Sequence, residues 1–273
     1  MAMIPPVLAA TYMGAPYFNI LIAAAVAAMA WEWCCIINDG RFNFEGWLLA
    51  CGLVGSVIVA SMGAYIHSFF ALGLVGALLF GISEARRLTV NLPIHSQQMD
   101  QVVKPKRTLW MVVGGIYIGF PSLALIWIRS DWENGLLAVF WLLVLVWAAD
   151  SGAYAAGRLI GGPKMAPKIS PNKTWAGLGG CVIAAALAGG VIAHVADLEN
   201  FMIAEALLVS ALVGLISQGG DLVESAAKRH FNVKDSSHLI PGHGGVLDRV
   251  DALLAAIAAA ALIGFSNRFA LLS

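Results

Sequence analysis

Charged residues are scarce in this sequence. Only 12% of its 273 residues are Asp, Glu, Lys or Arg, and 60% are hydrophobic, whereas a soluble domain carries roughly 25% charged and about 45–50% apolar residues. That shortage, with a mean hydropathy of +0.81, excludes an ordinary water-soluble protein. Net charge is missing too, since 16 basic residues balance 16 acidic ones, so no nucleic-acid partner is expected. Cysteine is sparse: Cys34, Cys35, Cys51 and Cys181 include no CxxC pair. This argues against a zinc site or a disulfide framework and leaves them as packing residues. Familiar hydrolase motifs are absent as well. There is no GxSxG elbow and no HExxH helix, and Lys173-Thr174 lacks the glycine-rich lead of a P-loop.

Long apolar runs are present instead. A helix needs about 20 mainly apolar residues to cross a bilayer. Eight runs come close to that: 18–37, 47–65, 68–82, 110–128, 134–149, 177–195, 202–216 and 252–265. A ninth piece, 4–11, contains Pro5 and Pro6 and is too short to span. Without a basic start or a small-residue cleavage site it reads as a tucked or re-entrant segment rather than a signal peptide. The expected fold is therefore an all-α polytopic membrane protein of about eight or nine transmembrane helices with cytoplasmic catalytic loops. Residues 1–109 form an N-terminal membrane region with a basic loop, and 110–273 a C-terminal region that carries the polar blocks.

With eight spans starting outside, the inside loops are 38–46, 83–109, 150–176 and 217–251. They hold every Lys and Arg except Arg129 and Arg268, which sets them in the cytoplasm by the positive-inside rule. Loop 83–109 reads as a solvated linker or a patch attracted to anionic lipid. The other two long loops hold more.

Asp150 closes an apolar run, where a carboxylate is costly and reads as functional. After it, Arg158, Lys164, Lys168 and Lys173, with Ser170, Asn172 and Thr174, supply donors of the kind that phosphate takes. In the last loop Asp221, Glu224 and Ser225 share one helical face by i, i+3, i+4 spacing, which Lys228 extends. Asp248 and Asp251, three apart, face the same way. Mg²⁺ takes one or two carboxylates plus waters and substrate phosphates. Asp221 and Asp248, each expected at a helix end near the membrane surface, fit that demand. Lysines and arginines beside them would neutralise phosphate oxygens during phosphoryl or nucleotidyl transfer. His243, in a Pro-Gly-His-Gly-Gly turn, fits a hydrogen-bonding role better than that of a base.

The run Ser225, Lys228-Arg229, Lys234-Asp235, Ser237, Ile240-Pro241, His243-Gly244-Gly245, Asp248-Arg249, Asp251 resembles the signature of the phosphatidate cytidylyltransferases, the CDP-diacylglycerol synthases. A second block agrees: Asp150-Ser151, Ala153-Tyr154, Gly157-Arg158, Lys168-Ile169-Ser170-Pro171 and Lys173-Thr174. The resemblance covers most of residues 100–265. It implies a polytopic inner-membrane enzyme with a cytoplasmic site. Such an enzyme joins CTP to phosphatidate, releases pyrophosphate and forms CDP-diacylglycerol for phospholipid synthesis. It also implies Mg²⁺, with K⁺ as a possible second cation, and a homodimer. Carried onto this chain, the resemblance makes Asp221 and Asp248 the metal ligands. Those two join Lys228, Arg249 and His243 as the catalytic set. Ser151, Tyr154, Arg158, Ser170, Lys173, Thr174, Arg229 and Lys234 would bind substrate. One position departs: Ala176 stands where members often carry an acid.

Two rival readings make different demands. A CTP-dependent lipid or polyprenol kinase would move the γ-phosphoryl group instead. A cation-coupled transporter would need acids deep in its spans and an internal repeat, and the sequence shows no convincing repeat.

Overall fold

The computed structural model describes residues 4–90, 105–196, 203–240, 242 and 244–265. Among them the chain forms nine helices and one hairpin. In order these are α1 (Ile4–Met13), α2 (Tyr17–Ile37), α3 (Phe44–Ser61), α4 (Tyr65–Val90), α5 (Pro105–Asp131), α6 (Gly135–Leu159), β1 (Lys164–Ala166), β2 (Ser170–Thr174), α7 (Trp175–Val195), α8 (Ile203–His230) and α9 (Leu247–Phe265). Seven of these helices, α2 to α8, are long and apolar enough to cross a membrane, and the chain is an integral membrane protein. The helix α1 has 10 residues, about 15 Å at 1.5 Å per residue, roughly half of a hydrocarbon core. The helix α9 is apolar from Ala252 onward, but Asp248, Arg249 and Asp251 occupy its start. The expected all-α polytopic class is thus the class observed. The antiparallel hairpin adds a small element to it, pairing Lys164 with Thr174 and Ala166 with Ser170.

Two stretches expected as loops are largely helical. Residues 150–159 continue α6, and 217–230 continue α8. Neither stretch holds a proline, and the Ser151 hydroxyl folds back onto the Trp147 carbonyl at 2.7 Å. With 28 residues, α8 is about 42 Å long, more than the roughly 30 Å of a hydrocarbon core. An apolar run marks where hydrocarbon ends, and a helix need not stop there. Asp150 and Asp221, expected at helix ends, therefore lie more than two turns inside α6 and α8.

Side-chain caps mark other boundaries as the local sequence dictates. Asn43 accepts from the Gly46 amide at 3.0 Å to start α3, and Thr174 accepts from the Gly177 amide at 3.0 Å to start α7. Each supplies an acceptor to a helix-end donor that lacks one.

The chain divides into two compact units, one of Met1–Phe18, Ala124–Lys234 and Asp248–Ser273, the other of Asn19–Leu123 and Asp235–Leu247. In the first, α6 and α7 pack along Gly152, Ala156, Gly180 and Ala184, small residues that let membrane helices approach. Its core is filled by Ile126, Trp141, Leu142, Leu145 and Val213, and Trp141 Nε1 donates to Ser210 Oγ at 3.1 Å. Arg129 donates to the Thr11 and Tyr12 carbonyls at 2.9 and 3.4 Å, satisfying the end of α1. In the second unit, Val26, Trp33, Leu49, Leu53 and Ile118 form the core, and Trp33 Nε1 donates to the Trp110 carbonyl at 2.8 Å. Glu32 is fully buried there. The cysteines are free thiols, with Cys34 and Cys181 buried and Cys51 exposed.

Candidate functional site

The polar residues of the first unit gather around two adjoining pockets. The first, of about 320 Å³, is lined by Asp150, Asp221, Lys228, Asp248, Arg249 and Asp251, with Leu143, Val146, Trp147, Ala252 and Leu253 as its apolar side. The second, of about 400 Å³, is lined by Tyr154, Arg158, Asn172, Lys173, Thr174 and Gln218, and Asp150 and Asp221 again belong to its wall. Two aspartates on two helices are thus common to both.

Each wall is built from ion pairs that join separate elements. Lys173 Nζ on β2 lies 2.7 Å from Asp221 Oδ2 on α8 and donates to the Gln218 carbonyl at 3.3 Å. Gln218 in turn donates from Nε2 to Asp150 Oδ1 at 3.3 Å, so α6, β2 and α8 meet at one polar node. Lys228 Nζ reaches Asp248 Oδ1 at 2.6 Å and Glu224 Oε2 at 2.7 Å. The Lys228 ammonium is the one partner of the buried Glu224 carboxylate among the described residues. The helical face anticipated from spacing is present, with Ser225 Oγ donating to Asp221 Oδ1 at 3.2 Å. Burial, and after it the Asp221 carboxylate, pushes the Asp251 carboxyl up to about 7; Asp251 stands just ahead of the apolar run of α9.

Of the anticipated site residues, the structure brings Asp221, Lys228, Asp248 and Arg249 to the first pocket, and Tyr154, Arg158, Lys173 and Thr174 to the second. Arg158 Nη1 donates to the Tyr154 hydroxyl at 2.5 Å. Four others line neither pocket. Ser151 spends its hydroxyl on Trp147, Ser170 begins β2, Arg229 donates to the Ile169 and Val233 carbonyls, and Lys234 is exposed. His243 lies outside the described residues. Gln218 at the node, Glu224 beside Lys228, and the pocket residues Asp150 and Asp251, which stand in the signature blocks but were given no catalytic or binding role there, add to the anticipated site.

The donor set suits a hard cation. Asp150, Asp221, Asp248, Asp251 and the adjacent Glu224 outnumber Lys173, Lys228 and Arg249 around the shared wall. No three His, Cys, Asp or Glu side chains among the described residues group tightly enough to hold a metal by themselves. Mg²⁺ does not require such a cage, since it keeps waters and takes oxygens from one or two carboxylates and from substrate phosphate. The residues present fit that mode, with Asp221 and Asp248 as the pair that would hold it.

Fold and site together define an integral membrane protein whose acidic wall, set among lysines and arginines, is suited to phosphate chemistry. The chain belongs to the cytidylyltransferase family, whose pattern matches residues 1–266. It is 36% identical over 261 residues to a phosphatidate cytidylyltransferase of Brucella suis biovar 1 (strain 1330), covering 93% of this chain and 86% of that one. The Haemophilus influenzae (strain ATCC 51907 / DSM 11121 / KW20 / Rd) phosphatidate cytidylyltransferase is 33% identical over 274 residues, covering 93% of this chain and 92% of that one. That of Bacillus subtilis (strain 168) is 42% identical over 145 residues, covering 53% of this chain and 54% of that one.

Proposed function

We infer that the chain is a phosphatidate cytidylyltransferase, a nucleotidyltransferase that converts CTP and phosphatidate to CDP-diacylglycerol and pyrophosphate. One observation carries the reading beyond family membership: two adjoining pockets share Asp150 and Asp221. Transfer between two phosphate-bearing substrates calls for such a common wall. The pocket flanked by Leu143, Val146, Trp147 and Leu253 suits the lipid head group, whose tails stay among apolar side chains. The pocket of Tyr154, Arg158, Asn172 and Lys173 suits the nucleotide.

In the reaction a phosphate oxygen of phosphatidate attacks the α-phosphorus of CTP. A new phosphorus–oxygen bond forms as the bond to the β-phosphate bridge breaks, and pyrophosphate leaves with that electron pair. The lipid phosphate is anionic at neutral pH, so a strong general base is not needed. Lys228 and Arg249 orient the attacking phosphate, and Lys173 and Arg158 offset charge that develops on the departing one. The Lys228 pairings to Asp248 and Glu224 hold the ammonium in place before substrate arrives, which is preorganisation of the kind that lowers a barrier. Mg²⁺ bound at Asp221 and Asp248 would neutralise triphosphate charge. The basic loops support a cytoplasmic face in a bacterial inner membrane, and the enzyme is proposed to work as a homodimer.

CTP labelled at the α- or γ-phosphate tests the assignment with the purified chain and phosphatidate in detergent micelles. The α-label should enter the lipid, and the γ-label should leave as pyrophosphate. Entry of the γ-label into lipid, with release of CDP, would instead make the chain a lipid kinase.

A further inference from the structure

We propose that Glu32 of α2 is a positioning residue for the transfer reaction, through the turn that leads into Asp248. The inference rests on the cytidylyltransferase reading.

Glu32 is an ionisable side chain within an apolar helix and is fully buried. Such a residue is costly and marks function by default. Its carboxylate is surrounded by donors from a single distant segment. Oε1 accepts from the Val246 amide at 2.8 Å and the Ser237 hydroxyl at 2.6 Å, while Oε2 accepts from the Leu247 amide at 2.7 Å and the Ser236 hydroxyl at 3.4 Å. Both ends of the 235–247 turn therefore close on one anion, and Ile240 N–H to the Gly244 carbonyl at 2.9 Å closes the turn internally. A Cβ at position 245 would overlap Ser236 Oγ and Glu32 Oε1, so the turn passes the carboxylate with no room for a side chain.

The two amides are those that open α9. Leu247 is its first residue, and Asp248 follows in the first turn. First-turn amides have no partner within their own helix, and a negative charge there is favoured by the helix dipole. Glu32 thus fixes where α9 begins, and through the chain it fixes the backbone that presents Asp248 and Arg249. The arrangement is that of an outer residue which orients a ligand without touching substrate.

The test compares Glu32→Gln and Glu32→Asp with wild type as full chains in detergent micelles, using hydrogen exchange, thermal melting and kinetics. Glutamine keeps the volume but replaces one acceptor with a donor, so faster exchange is expected at the Val246 and Leu247 amides. Turnover should fall about tenfold or more, and the Mg²⁺ concentration for half-maximal rate should rise. The KM for phosphatidate should stay within about twofold and the melting midpoint within a few degrees. Aspartate should recover part of the turnover. A folded Gln variant with unchanged turnover and metal dependence overturns the proposal. So does one whose exchange at 246 and 247 is unaltered, or whose kinetic constants fall together with its stability and without a selective metal effect. Failure of the wild-type chain to make CDP-diacylglycerol overturns the functional reading instead, and the exchange comparison still decides whether Glu32 holds the start of α9.

Discussion

Lys228 on α8 holds Asp248 on α9 at 2.6 Å, and the same ammonium lies 2.7 Å from the buried Glu224. One cation therefore serves two carboxylates, and it joins the helix that carries Asp221 to the one that carries Asp248. Removing a partner from a buried ion pair leaves an uncompensated charge.

Lys228→Met should accordingly cost about 3 kcal/mol of stability as well as most of the turnover. Adding Glu224→Gln should return much of the melting temperature but not the activity, because Asp248 and the substrate phosphate still lack the ammonium. Melting curves and initial rates on the two variants separate the structural share of Lys228 from its chemical share.

Ser151 and Arg158, both in the 150–158 stretch, should differ sharply. Arg158 lines the second pocket, whereas Ser151 gives its hydroxyl to the Trp147 carbonyl and lines neither pocket. Arg158→Ala should raise the KM for CTP about tenfold, the worth of one charge-assisted contact, while Ser151→Ala should stay within about twofold. Steady-state kinetics with CTP varied decides this. Equal losses would contradict the pocket assignment.

Much of this was legible before any fold was known. Hydropathy alone identified the helical membrane class, since only helices or closed barrels satisfy backbone groups in hydrocarbon. The spacing of Asp221, Glu224, Ser225 and Lys228 announced their common face because i, i+3 and i+4 are neighbours on any helix. Hydropathy could not show that α6 and α8 continue past their apolar runs, because helix propensity persists where hydrophobicity stops. Nor could it show that Lys173 meets Asp221, or that Gln218 meets Asp150; local pattern carries no tertiary pairing. Glu32 was visible as a lone acid between Trp31 and Trp33, yet its partners lie more than 200 positions along the chain.

Thr174 combines two functions that substitution can divide. Its hydroxyl caps α7 at the Gly177 amide, and the residue lines the second pocket. Thr174→Ala should destabilise the chain by about 1 kcal/mol, the usual worth of an N-cap, and Thr174→Ser should restore it. The check is thermal melting in detergent; a neutral alanine would mean that another group satisfies the Gly177 amide.

Asp221 is the side chain on which the account depends most. It faces both pockets, takes the Lys173 ammonium at 2.7 Å and is proposed to hold Mg²⁺. The direct measurement is the rate of CDP-diacylglycerol formation by Asp221→Asn across a Mg²⁺ titration, beside a melting curve of the same preparation. Turnover should fall about a hundredfold or more with folding intact. Near-normal turnover with unchanged Mg²⁺ dependence would contradict the shared-wall site.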